Sequence, residues 1–326
     1  MAAGWPLHAM RSLPRTGAVT HLLASELNLS IAGVSFRICS SLPLHLSSEP
    51  GPYRAFVGQG AAPARSPDVA VELELGEAPP AGRLDRIFGD RSWSLYRDSI
   101  FYQLEFRSSQ PDQPLWVARF AEDARRVSIY GSSEMLQQVP GGPAILNPVC
   151  YPLDQILLVY LLAGTGGLLV HAAGAVVDDV AVVFPGRSGA GKTTLARVLQ
   201  GEENVLLLSD DRVVVRRLAA GFHAYGTPWP GEAGVAHNLG APLAALLFLA
   251  HGAENHIVPI SPQEALRRLL QVASIPWYNE KLVGPLLGLC EELLLEVPAY
   301  QLCFTPGESP APTVRGFVRG LARPRL

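Results

Sequence analysis

Lysine, cysteine and net charge are all low in this chain, and each of these deficits excludes a class of protein. Only two of the 326 residues are lysines, the arginines are scattered, and the formal net charge is -3. This composition does not support a nucleic-acid-binding protein, which would need a concentrated basic surface. A charged fraction of 17% with a hydrophobic fraction of 48% is typical of a packed globular protein and not of a disordered one. The length is enough for two domains, each with its own core.

The cysteines are far apart and include no C-x-x-C pair: Cys39, Cys150, Cys290 and Cys303. This spacing favours reduced thiols in a cytoplasmic protein over a disulfide framework or a zinc site. Residues 1–24 are predicted to be a loose leader. No signal peptide is predicted, because residues 1–20 contain no continuous apolar segment. The apolar stretch 156–177 is interrupted by glycines and by His171, which predicts a helix followed by a buried strand and no membrane span.

Residues 186–193 have the sequence GRSGAGKT, which fits the phosphate-binding pattern G-x-x-x-x-G-K-[ST]. The apolar run 180–184 before it predicts a buried strand, and residues 194–200 after it predict a helix. Glycines let a backbone bend around an anion and turn its N–H groups inward, and the helix N-terminus adds positive potential. A glycine-rich turn without a ligand is the weaker interpretation, because pattern and context agree.

The residues predicted to hold the phosphates of a nucleotide are Gly186, Arg187, Ser188, Gly189, Ala190, Gly191, Lys192, Thr193 and Thr194. The Lys192 ammonium would neutralise the outer phosphates, and the Thr193 hydroxyl would bind magnesium.

A second apolar run, 204–208, ends in the acids Asp210 and Asp211. Carboxylates at the carboxyl end of a strand next to such a loop are the Walker B arrangement. One acid would bind magnesium and the other would accept a proton from an incoming hydroxyl, which favours transfer to an alcohol over simple hydrolysis. The pattern does not decide which acid has which role. A metal ligand beside an acid that only shapes the turn is the alternative.

Residues 25–140 are predicted to form a β-rich domain of short antiparallel strands, because apolar and polar residues alternate there. A docking platform and a purely structural role are both open for it. Residues 140–143 (PGGP) are predicted to be a linker, so the second domain would span residues 141–326. In that domain the Gly- and Pro-rich stretch 226–234 is predicted to be a loop, and lining the site and a purely structural role are both open for it. The arginines after residue 314 are predicted to be a solvated tail, with contact to an anionic partner as the alternative.

Three segments resemble the HPr serine kinase/phosphorylase-like family, which shares its P-loop fold with ATP-dependent phosphoenolpyruvate carboxykinase. They are 171–177 (HAAGAVV), 186–194 and 208–212 (LSDDR), and the resemblance covers about residues 150–306. It implies an α/β P-loop kinase domain with a mixed sheet, preceded here by the smaller β-rich domain. It also implies that His171 lies near the metal and phosphates, with Asp210 and Asp211 as the base and metal pair. By itself, a histidine on an apolar strand is more often a core residue.

The resemblance implies a kinase that uses ATP or GTP with Mg²⁺ and transfers the γ-phosphoryl group to a serine of a peptide or protein. The β-rich domain and the 226–234 loop differ from those of bacterial HPr kinases, so the chain looks closer to divergent relatives encoded beside peptide-modification genes. Such relatives are often oligomeric, so the resemblance also implies that this chain could form a homo-oligomer. A small-metabolite kinase and a non-catalytic nucleotide-binding scaffold are the alternatives. On this reading Asp210→Asn and Asp211→Asn should each cripple transfer.

Overall fold

The computed structural model describes residues 23–46, 51–58, 66–108, 113–305 and 307–321. The predicted leader lies outside the described residues except for its last two, which already belong to the first strand. Arg323 and Arg325 of the predicted tail also lie outside them. The described residues form a mixed α/β structure with two large sheets.

The first sheet has ten strands and a strand order of β4-β5-β6-β7-β8-β3-β2-β10-β9, with β1 paired to β2. A short 3-10 helix, Pro52–Phe56, follows β2. The strands are β1 Leu23–Ile31, β2 Val34–His45, β3 Val69–Leu75, β4 Asp85–Gly89, β5 Trp93–Arg97, β6 Tyr102–Arg107, β7 Pro114–Phe120, β8 Arg126–Gly131, β9 Leu136–Val139 and β10 Gly142–Leu146.

Two predictions about this region are wrong. The sheet is not wholly antiparallel, because β3 pairs in parallel with both β2 and β8, and β10 pairs in parallel with β2. The antiparallel strands β4 to β7 are inserted between β3 and β8 along the chain. Residues 140–143 are not a linker, because Pro140 and Gly141 form the turn of the β9–β10 hairpin, and Gly142 and Pro143 begin β10. Gly141 and Gly142 have φ values of 115° and 116°.

The second sheet has eight strands and a strand order of β12-β11-β14-β15-β16-β18-β17, with β13 paired to β11 and a further pairing of β12 with β16. Its strands are β11 Gly167–Val177, β12 Val180–Pro185, β13 Val205–Ser209, β14 Arg212–Leu218, β15 Gly221–Tyr225, β16 Gly240–His251, β17 His256–Pro259 and β18 Ala299–Phe304. The helices are α1 Leu153–Thr165, α2 Lys192–Leu199, α3 Pro262–Leu270, α4 Glu280–Glu296 and α5 Ala311–Leu321.

Helix α5 corrects the prediction of a solvated arginine tail. Arg319 Nε lies 2.8 Å from Asp178 Oδ2, and Arg315 Nε lies 3.9 Å from Asp178 Oδ1. Asp178 belongs to the tight turn between β11 and β12, whose two residues, Asp178 and Asp179, have positive φ values. The arginines therefore fasten α5 to this turn. None of the helices in the described residues is long and apolar enough to cross a membrane.

Helix α1 lies in the core that the two sheets share. Its buried face, which includes Leu157 and Leu161, belongs to the same cluster as the apolar side chains of the first sheet. Leu169 of β11 and Val214 of β14 join that cluster from the second sheet. Burial of such side chains contributes about 1.5–3 kcal/mol each, so the two sheets stabilise each other through α1.

One edge of the second sheet collects the ends of several strands. Strands β12 and β16 are parallel, and so are β16 and β18. Because β12 and β13 both run antiparallel to β11, they share a direction as well. Residues that follow β12, β13, β16 and β18 therefore meet at the same edge, where ligands of α/β proteins commonly bind.

Candidate functional site

The predicted phosphate loop connects β12 to α2, as the sequence indicated. Gly189 and Gly191 have φ values of 82° and 95°, which L side chains rarely adopt. A Cβ on Gly186 would lie 2.9 Å from the Cβ of Ala190, so this position also needs glycine. Arg187 and Ser188 are exposed, so the loop opens to solvent. Thr193 and Thr194 lie half-buried in the first turn of α2.

Lys192 folds back into this loop. Its Nζ donates hydrogen bonds to the carbonyl oxygens of Gly186 at 2.8 Å and Arg187 at 2.9 Å, and the residue is only 7% exposed. Burial lowers the pKa of Lys192 to about 8, against the raising effect of the nearby Asp211 carboxylate. An ammonium that is partly desolvated in this way gains most from an anionic partner, which is what a phosphate-binding loop requires.

His171 and Asp211 form a pair beside the loop, with 2.9 Å between Nε2 and Oδ1. The backbone holds the pair in place, because Ala172 N donates to Asp211 O at 3.0 Å and Gly186 N donates to His171 O at 3.2 Å. The three segments that carry the family resemblance therefore touch one another directly.

The protonation states of the pair follow from its surroundings. Burial lowers the pKa of His171, although the hydrogen bond to Asp211 acts in the opposite direction. Burial would raise the pKa of Asp211, but the bond from His171 and the positive charges of Arg212 and Lys192 outweigh it and lower that pKa overall. At neutral pH the pair thus consists of an ionised carboxylate and a neutral imidazole that donates Nε2–H to it.

Arg212 is a further member of the site, and sequence analysis did not assign it a role. Its Nη1 lies 3.5 Å from Asp211 Oδ2, and it is 7% exposed. Pairing of β11 with β14 places it directly opposite His171. The positive charges of Arg212 and Lys192 both act on Asp211, so the site can compensate a concentrated negative charge. The signal in the sequence was an arginine adjacent to the acids.

The Asp210 carboxylate is occupied by the 226–235 loop, although the sequence predicted that one acid binds the metal and the other accepts the proton. Asp210 is 1% exposed, and its carboxylate accepts three backbone N–H groups of the 226–235 loop, from Gly231 at 2.9 Å, Ala233 at 2.7 Å and Val235 at 3.1 Å. The structure thus favours the alternative in which one acid shapes a turn. Asp211 is the acid that pairs with His171 and Arg212.

The same loop has a second anchor at Trp229. Its Nε1 donates to Asp154 Oδ2 at 3.0 Å and to Tyr53 OH at 2.9 Å, and Tyr53 OH donates to the same Asp154 oxygen at 2.6 Å. Asp154 comes from α1 and is completely buried, and Tyr53 comes from the 3-10 helix after β2. The wall of the site is therefore fastened to the first sheet. The sequence contained only a weak indication of this anchor, namely that Asp154 is the sole charged residue of α1.

Asp154 makes the stability of this junction depend on pH. Burial raises the pKa of Asp154 to about 6, although the bonds from Tyr53 and Trp229 act against it. The ordinary value is about 3.9, so stability from this group is complete below pH 4 and is lost as pH rises through 6. We expect the free energy of unfolding of the wild type, relative to Asp154→Asn, to fall by roughly 2 kcal/mol between pH 4 and pH 7. Urea titrations at each pH measure this difference, and parallel pH profiles of the two proteins would contradict it.

A metal site made of protein side chains alone is absent from the described part of the chain, where no group of three or more His, Cys, Asp and Glu residues converges. Magnesium bound with a nucleotide needs only one or two protein oxygens in addition to phosphates and water. Thr193 and Asp211 fit that requirement by residue type and position. Asp210, which the sequence also predicted as a ligand, has its carboxylate directed to the loop amides.

Comparison with known families gives one match, and it covers the site. Residues 153–286 match the family described as SynChlorMet cassette protein ScmC. The chain is similar to that family over this segment. The segment is about two fifths of the chain, and it contains the phosphate loop, His171, Asp211 and the 226–235 loop. None of the curated proteins compared matches the chain.

Proposed function

We propose that the chain is a P-loop kinase that transfers the γ-phosphoryl group of ATP or GTP to a hydroxyl, namely a serine of a peptide or protein. The observation that carries this proposal is the convergence of Lys192, Asp211 and His171 beside one glycine-containing loop. The loop supplies backbone donors and a buried ammonium for the phosphates. The acid–imidazole pair supplies a proton acceptor next to them.

In this reaction the serine oxygen forms a bond to the γ-phosphorus while the bond from phosphorus to the β–γ bridging oxygen breaks. The nucleoside diphosphate leaves, and the hydroxyl proton passes to the His171–Asp211 pair. The carboxylate would stabilise the imidazolium formed on His171, since their atoms lie 2.9 Å apart. Thr193 and Asp211 would hold Mg²⁺, which neutralises charge on the phosphates. Lys192 and Arg212 add positive charge where negative charge develops.

The loss of Lys192 should show directly in nucleotide binding. Lys192→Ala removes a charged donor from the phosphates, and such charge-assisted bonds contribute about 1.5–3 kcal/mol, so the Kd for Mg-ATP should rise about 10- to 100-fold. Isothermal titration calorimetry measures this. Lys281→Ala is a matched control, because Lys281 is the chain's other lysine, is 77% exposed and pairs with Glu122 away from the loop. Equal affinities for the wild type and the Lys192 variant would refute the phosphate-binding role.

The transfer itself can be tested with the complete chain. The matched family is described as a cassette protein, so short peptides encoded beside this gene are the first acceptors to try. Each peptide is incubated with the protein, Mg²⁺ and γ-labelled ATP, and mass spectrometry locates any phosphoserine. Transfer that Lys192→Ala abolishes supports the proposal. Tight nucleotide binding without transfer to any peptide would favour a scaffold, and transfer to small hydroxyl compounds alone would favour a metabolite kinase.

A further inference from the structure

An aromatic pair lies on the opposite side of the phosphate loop from Asp211. His251 is the last residue of β16 and Phe304 is the last residue of β18, and the two are directly paired between these parallel strands. Their ring centroids are 6.5 Å apart with an angle of 29° between the ring planes, which is a stacked arrangement. Both residues therefore lie at the edge of the sheet where the loop follows β12.

The pair is in contact with the loop itself. A Cβ on Gly191 would lie 2.9 Å from Cζ of Phe304 and 3.9 Å from Cε1 of His251. Phe304 is 1% exposed, whereas His251 is exposed. The buried Phe304 ring therefore packs in the core and supports the His251 ring. The His251 ring lies next to the loop and is partly in contact with water.

The segments after the two strands are fastened to each other. Asn255 Oδ1 accepts a hydrogen bond from Thr305 N at 3.1 Å, and Asn255 Nδ2 donates to the carbonyl oxygens of Glu308 and Ser309, each at 3.3 Å. These bonds tie the turn after β16 to the turn after β18. A surface that is ordered before a ligand arrives loses less conformational entropy on binding.

The order of the strands determines on which side of the loop each end of a bound nucleotide would lie. His171 and Asp211 lie on the side of β11 and β13, the loop follows β12, and His251 and Phe304 lie beyond it on β16 and β18. A triphosphate whose γ-phosphate faces Asp211 and Lys192 crosses the loop toward β16. Its nucleoside then lies on the side of the aromatic pair.

We infer that His251, supported by Phe304, stacks against the nucleobase of the bound nucleoside triphosphate. This rests on the proposed function, because it requires phosphates in the loop. Every base has a π-face, so stacking on an aromatic ring provides affinity with little preference among bases. The aromatic pair would therefore make a nucleotide bind more tightly than inorganic polyphosphate does. Discrimination between ATP and GTP must come from other groups.

The test compares two ligands that share the phosphates and differ in the base: Mg-ATP and Mg-tripolyphosphate. His251→Ala should weaken ATP binding about tenfold, as loss of one base-stacking contact does, and should leave the Kd for tripolyphosphate unchanged. His251→Phe should keep the affinity for ATP, since it retains an aromatic ring. His256→Ala is the matched control, because it removes another exposed histidine, on β17. Calorimetry supplies all of these constants.

The outcomes separate this inference from the proposed function. Equal losses for both ligands, or no loss for either, would overturn the stacking role while Lys192-dependent binding left the phosphate loop in place. If neither ligand binds the wild type, both the stacking role and the kinase proposal fail. An ATP-specific loss restored by phenylalanine supports the inference.

Discussion

Replacing Asp211 by asparagine should slow phosphoryl transfer by at least about 100-fold while the affinity for Mg-ATP changes only a few-fold. The new side chain has the same shape and can still accept the bond from His171, which lies 2.9 Å away. It lacks the negative charge that would help hold magnesium and stabilise an imidazolium on His171. Initial rates of transfer from γ-labelled ATP to the acceptor peptide measure the first effect, and calorimetry measures the second.

A matched control for that variant is Asp179→Asn. Asp179 is an exposed residue of the turn between β11 and β12, so the substitution removes the same charge without touching the loop. Asparagine also tolerates the positive φ of 69° found there. We expect this control to retain wild-type rates. Full activity in Asp211→Asn would remove Asp211 from the mechanism and leave the proposed chemistry without its acid.

The positions of the strands could be predicted where the sequence pattern within a single strand was sufficient. Alternation of apolar and polar residues is a property of a single half-buried strand, and it located β2, β3 and β8. Which strands become neighbours is not encoded in that alternation. The parallel pairings of β3 with β2 and β8 join residues that are far apart in the chain, so an antiparallel sheet was the natural but incorrect expectation.

The site was predictable in the same uneven way. The position of the loop between β12 and α2 was predicted correctly, because its signature is contiguous in the sequence. The separation of Asp210 from Asp211 depends on the amides of residues 231–235, which come more than twenty residues later. One local signal was available, because consecutive residues at the end of a strand point to opposite sides. The side chains of the two adjacent acids after β13 should therefore not both point to the phosphate site.

The N-terminal sheet is part of the site's support, and this changes how its role should be tested. Tyr53 contacts both Asp154 and Trp229, and α1 buries one face among the residues of the first sheet. Deleting residues 1–135 would uncover that face and remove an anchor of the loop, so inactivity of the truncated chain would not identify a docking function. Point variants in the complete chain avoid this ambiguity.

Asp210→Ala should be among the most destabilising single substitutions in the chain, lowering the free energy of unfolding by about 3 kcal/mol or more. It removes the acceptor of three backbone N–H groups at once, including that of Val235, which is 5% exposed. A buried donor without an acceptor costs about 1–3 kcal/mol. The midpoint of urea unfolding should fall at an unchanged m-value. Amide hydrogen exchange in residues 231–235 should accelerate even where the rest of the protein is protected.

Isosteric variants at the two adjacent acids provide the sharpest comparison. Asp210→Asn keeps one oxygen for the loop amides but turns an NH₂ group toward a backbone donor, so we expect an intermediate loss of stability. Asp211→Asn should instead lower the unfolding midpoint less than Asp210→Ala does, because asparagine can still accept the bond from His171 and the residue is partly exposed. Activity and stability are thus expected to separate between neighbouring positions. An unchanged midpoint and unchanged exchange rates in Asp210→Ala would show that the loop does not depend on this carboxylate.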